Sequence, residues 1–140
     1  MLRPGDTVFY SDTSEGAQDR SSIFRNVVQA FKLRPVFYVG AKKDSLNTNV
    51  SYEFRRDMYS SKLVIAHLGP PTQDNNIVFY YLPYALKELK LECLLYAAVG
   101  FDQTLLLDDT NWLPFSWVPD MPTFKEMLTR DLAQRVERPN

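Results

Sequence analysis

Residues 8–31, VFYSDTSEGAQDRSSIFRNVVQAF, decide how the rest of the chain is read. Thr7 to Tyr10 is a short β-rich run, broken by a loop of Ser, Asp, Thr, Glu and Gly. From Ser21 the apolar residues Ile23, Val27, Val28 and Phe31 recur at helical spacing, with Asp19 or Ser21 available as N-cap. A strand therefore runs into a helix, and the alternation repeats. Val36 to Val39, introduced by Pro35 and ended by Gly40, is a second strand, and Val50, Phe54 and Met58 at i, i+4 and i+8 mark a second helix. Leu63 to Leu68 is a third strand, closed by Gly69, Pro70 and Pro71. A short helix from about Leu82 to Leu91 follows, placed so that Pro83 falls in its first turn. Cys93 to Val99 is a fourth strand. Thr123 and Glu126 form a T-x-x-E capping box opening a last helix that buries Phe124, Met127, Leu128, Leu132 and Val136.

Strands that alternate with helices and are apolar on both faces predict a mainly parallel sheet covered on both sides. Right-handed crossovers then favour a three-layer α/β sandwich of flavodoxin-like order, 2-1-3-4, with a fifth strand near Leu113 to Trp117. At 140 residues, 45% hydrophobic and 14% aromatic, the chain is expected to be one domain over residues 1–140. In such a sheet ligands sit at the carboxyl ends of the strands, which here receive the loops Ser11 to Arg20, Gly40 to Asn49, Gly69 to Ile77 and Gly100 onward.

The charge balance excludes some classes. Sixteen Lys and Arg against 17 Asp and Glu give a net charge of −1 without like-charge runs, which argues against a nucleic-acid binder. No apolar stretch is long enough for a membrane span, the first ten residues lack a secretory signal, and the single cysteine, Cys93, lies in an apolar run. A cytoplasmic protein without disulfides is the expectation. A metal site is not expected from one His and one Cys, and no resident cofactor is implied. His67, the lone histidine, ends the third strand, where it is a candidate acid or base with no carboxylate beside it on the chain.

Three carboxylates, Asp12, Glu15 and Asp19, and one glycine make the first loop a poor flavin phosphate cradle, and the acids read as capping a helix and facing water. A receiver domain needs an aspartate ending the third strand and a lysine ending the next; His67 stands at the first place and no lysine follows Val99. Ser11 and Ser14 lack a nucleophile elbow. The aromatic clusters Phe79 to Tyr84 and Trp112 to Trp117 read equally as contact patches, if accessible, or as closure of the sheet edge, if buried; Tyr80, Tyr81, Trp112 and Trp117 are the residues expected at an interface in the first case.

The arrangement resembles a TIR-like domain, closest to the prokaryotic variant whose first strand runs into S-S-T-x-x-D-L-x-x-E-R. The residues that carry the resemblance are VFYSDTSEGAQDR, with Arg20 at the family's arginine, RPVFYVG as second strand, SSKLVIAHLG as third strand with its lead-in serines, and TFKEMLTRDL as last helix. It covers most of the chain as an order of elements. The resemblance implies a signalling scaffold, plausible in prokaryotic immunity, that self-associates or meets a protein partner and binds a nucleotide-type ligand around Ser11, Asp12, Thr13, Arg20 and His67. Its enzymatic alternative is cleavage of NAD, as substrate rather than cofactor, or transfer of a nucleoside, with a glutamate steadying the ribose as oxocarbenium character develops. Glu88 is the only glutamate in the matching segment, and Glu53, early in the second helix, is the other candidate.

Overall fold

A computed structural model describes residues 1–12, 16–39, 56–69, 88–101 and 115–137. Five strands, β1 (Thr7–Asp12), β2 (Arg34–Val39), β3 (Leu63–Leu68), β4 (Glu92–Ala97) and β5 (Phe115–Trp117), form one parallel sheet in the order β2-β1-β3-β4-β5. This is the flavodoxin-like α/β order that the alternation predicts. Helices α1 (Ala17–Ala30) and α2 (Met121–Ala133) share one core with the sheet, and 56–59 is a further helical turn.

Strand pleating sorts the residues into two layers. Val8, Tyr10, Leu63, Ile65 and Tyr96 meet Phe24, Val27, Val28, Phe124, Leu128 and Leu132 of the two helices. Phe9, Val64, Ala66, Leu68, Leu95 and Ala97 alternate with them and are also buried, so the sheet is covered on both faces.

Element ends depart from the predicted ones for local reasons. β1 continues two residues beyond Tyr10, because Ser11 and Asp12 keep pairing with both β2 and β3. α1 starts at Ala17, not Ser21, and neither Asp19 nor Ser21 caps it. Gly16 is the N-cap, in the left-handed region at φ 82°, and Ser21 Oγ instead donates back to the Gln18 carbonyl at 2.7 Å. A Cβ on Gly16 would lie 3.0 Å from both Arg20 Nη1 and Met121 Cε, so a side chain there is opposed by conformation and would also displace the ends of those two side chains.

The last helix begins three residues before the expected Thr123–Glu126 box. Asp120 is its N-cap, accepting from the Thr123 N–H at 2.8 Å, and Pro122 lies in the first turn, where no N–H is missed. The helix expected to reach Leu91 has stopped by Leu89, and Lys90 at φ 53° turns the chain into β4. The start of that helix, including Pro83, lies outside the described residues.

Pro35 lies inside β2, not ahead of it. The Arg34 N–H points inward to the Asp6 carbonyl, so alternation puts the Pro35 nitrogen on the outer edge, where its missing N–H costs no ladder bond and blunts the edge. α1 closes in a Schellman turn: the Leu33 N–H reaches the Val28 carbonyl, the Lys32 N–H reaches Gln29, and Lys32 itself sits at φ 62°. Exchange of Lys32 for glycine removes the left-handed penalty, so Lys32→Gly is expected to raise stability by about 0.5–1 kcal/mol. A denaturant midpoint no higher than that of the parent chain would refute this.

Candidate functional site

The carboxyl end of β1 meets the carboxyl end of β3 at the point where the strand order reverses, the usual ligand crevice of this sheet. Register places Asp12 beside His67 and His67 beside Tyr96. Tyr10 and Asp12, two apart on one strand, point to the same face, and α1 crosses that face with Arg20 one turn in.

The side chains form a buried network. Arg20 grips Asp12 through two donors, Nε to Oδ2 at 2.6 Å and Nη2 to Oδ1 at 3.2 Å. Tyr10 donates its hydroxyl to Asp12 Oδ2 at 2.6 Å, and His67 Nδ1 lies 3.7 Å from Asp12 Oδ1. Burial alone would push the Asp12 carboxyl upward; His67 and Arg20 outweigh it and hold the group well below its ordinary value. Tyr10 moves the other way, raised first by burial and then by the Asp12 charge. At neutral pH the centre is thus an aspartate clamped by a guanidinium and a neutral phenol.

Aromatic rings wall it in. Tyr10 stacks on Phe24 with centroids 4.7 Å apart, and Phe124 of α2 meets His67 edge to face at 6.0 Å and Tyr96 at 5.5 Å. The Tyr96 hydroxyl donates to Asp131 of α2 at 2.7 Å, which with burial raises the phenol above its usual range.

Of the expected ligand residues, Ser11, Asp12, Arg20 and His67 are thus brought to one edge, while Thr13 lies outside the described residues. Asp12 does not face water as the loop reading had it: it is a buried strand residue because Arg20, eight positions on, follows it into the interior. His67 has a carboxylate neighbour after all, supplied across the sheet and not along the chain. Tyr10 and Phe124 were missed as members of this site. The i, i+2 spacing of Tyr10 and Asp12 was the available signal, hidden by ending the strand at Tyr10.

Ser11 points to the other face from Asp12, and its Oγ is the one buried side-chain polar atom among the described residues without a hydrogen-bond partner. Ser11→Ala is therefore expected to raise stability by roughly 1 kcal/mol by removing a hydroxyl that lost its water without compensation. A fall in the melting temperature would instead show that the hydroxyl has a partner in solution.

Of the two catalytic candidates, Glu88 lies apart from the described network. Glu88 is exposed and enters four residues before β4 begins, at the amino end of the sheet, opposite Asp12 and His67. Glu53 lies outside the described residues, as do Tyr80, Tyr81 and Trp112. Trp117 ends edge strand β5 and is 53% exposed. Cys93 is half-buried, and burial followed by the Glu92 charge pushes its thiol up to about 12, so it is not a nucleophile at neutral pH. Among the described residues no His, Cys, Asp and Glu cluster could hold a metal ion, and no helix is long and apolar enough to cross a membrane.

No protein-family model matches the chain, and no curated protein matches it. Among solved structures it is similar to a response regulator receiver domain protein from Clostridium thermocellum, at 10% identity and a TM-score of 0.55 over 93% of this chain and 96% of that one. At that identity the likeness is one of fold. The receiver pattern weighed from the sequence is not restored by the structure, since β3 ends in His67 and Leu68 and the next strand, β4, ends in Tyr96 and Ala97.

Proposed function

We propose that this chain is a TIR-like signalling module that acts by associating with a second copy of itself, with the carboxyl edge of its sheet serving as framework and as the place for a nucleotide-type ligand, in the prokaryotic immune setting that the resemblance implies. The observation that carries this reading is the closure of the Asp12 network. Its carboxylate already takes two bonds from Arg20 and one from Tyr10, with His67 alongside, so the charged groups at the switch point hold one another. A glycoside-cleaving site needs a carboxylate open to a ribose, and among the described residues the carboxylate at this edge, Asp12, is buried. Interaction surfaces use exposed aromatics, and the exposure of Trp117 on the β5 side supports this reading, whereas Pro35 blunts the opposite edge of the sheet.

Light scattering over a concentration series tests the reading. Reversible oligomers are expected, and Trp117→Ala, on β5 and two strands from His67, is expected to shift the association midpoint at least tenfold in concentration. A strict monomer at every concentration would reject it. The enzymatic alternative is checked on the same sample by proton NMR with NAD: nicotinamide release abolished by Glu88→Gln would replace the module reading with a glycohydrolase.

A further inference from the structure

At the opposite, amino edge of the sheet lies a cavity of about 330 Å³, bounded among the described residues by Met1, Leu2, Lys62, Leu63, Glu92, Gln134 and Arg135. From the network it is separated by the length of β3: five residues divide Lys62 from His67, about 16 Å at ~3.3 Å per residue. Its size is at the lower end of the range for small-molecule sites.

The walls are fixed to one another by main-chain bonds. Leu2 donates to the Arg135 carbonyl at 2.7 Å and accepts from the Glu137 N–H at 2.8 Å, and the Lys62 N–H reaches the Thr7 carbonyl at 2.8 Å. Leu2 and Leu63 are buried and give the cavity an apolar floor.

Charge selects what that floor can accompany. Arg135 Nε donates to Glu92 at 2.6 Å and Nη1 donates to the Asp131 carbonyl at 2.9 Å, which holds the guanidinium in one orientation and leaves Nη2 without a bond among the described residues. Glu92 and Arg135 balance each other. Lys62 forms no ion pair with another described residue, so the described lining side chains carry one positive charge in excess. The end of α2 does not cancel it, because the carbonyls of Arg130, Asp131 and Leu132 already accept bonds from Gln134, from Arg135 and, for Leu132, also from Val136.

We propose that this cavity binds a small organic monoanion, a carboxylate with a short hydrocarbon body: the carboxylate meets Lys62 and the Nη2 edge of Arg135, and the hydrocarbon covers Leu2 and Leu63. The site is independent of the module reading above, since it shares no residue with the Asp12 network or with Trp117.

The test is an amide-resolved NMR titration of the labelled protein with hexanoate, hexylamine and hexanol, which share a chain and differ in head group. Hexanoate is expected to shift the amides of Leu2, Lys62, Leu63 and Arg135 saturably, with Kd on the order of millimolar for so small a ligand. Hexylamine and hexanol should leave them in place. Lys62→Gln changes an exposed side chain and is expected to weaken hexanoate about three- to fivefold without altering the spectrum elsewhere. Equal shifts with hexylamine or hexanol, an absence of shifts with hexanoate, or a Lys62→Gln affinity equal to that of the parent would each overturn the proposal.

Discussion

Arg20→Ala is expected to cost about 3–5 kcal/mol of folding stability, because it strands a buried carboxylate whose main partner is gone. The loss comes less from the pair's own attraction than from the desolvation of Asp12, which Tyr10 and His67 then offset only in part. Two further results separate this from lost packing. A double replacement, Asp12→Leu with Arg20→Met, removes charge and partner together and is expected to recover most of the deficit. The pH dependence gives the second. The Asp12 carboxyl is depressed in the folded chain, so the stability it adds is complete above the unfolded carboxylate value of about 4 and is lost as pH falls below it. Without Arg20 that depression shrinks, and the decline between pH 5 and pH 3 should be shallower than in the parent. A variant that keeps the parent's acid slope, or a double variant no more stable than Arg20→Ala, would place the Asp12–Arg20 pair outside the determinants of the fold.

Phe124→Ala is the second change of this size, at about 3–5 kcal/mol. Phe124 is fully enclosed, and its ring touches the rings of His67, Tyr96 and Tyr10, which come from three different strands. Truncation leaves a void that those rings cannot fill without leaving their own hydrogen-bond partners, Asp12 for Tyr10 and Asp131 for Tyr96. Phe124→Leu, which keeps most of the volume, should cost about 1–1.5 kcal/mol. Denaturant unfolding of both variants measures the difference; equal losses would mean that the ring contacts, not the filled volume, set the cost.

Those two residues also mark where reading the sequence succeeds and where it stops. Phe124 was legible as core from its spacing with Leu128 and Leu132, and the strands were legible from their apolar runs, which is why the order of the sheet could be predicted. Asp12 and Arg20 were legible as site residues but not as partners. Their contact joins the end of a strand to the second turn of the helix after it, and depends on where that helix begins. Gly16 sets that beginning through its backbone conformation, whereas the acidic and hydroxyl residues after it carried the stronger apparent capping signal. His67 and Asp12 lie 55 positions apart and meet only through strand register, which no local pattern specifies.

The first and last helices of the chain close the same core: Tyr10 stacks on Phe24 of α1, and Phe124 of α2 lies over Tyr10. A chain emerging from the ribosome therefore presents β1 and α1 early, but their shared face stays open until residues beyond 121 have been made. The long sequence separation slows the closing step, and an N-terminal fragment that ends before α2 exposes aromatic surface, not a stable subdomain. Until residues 121–133 are made, the Tyr10–Phe24 face is left open to water.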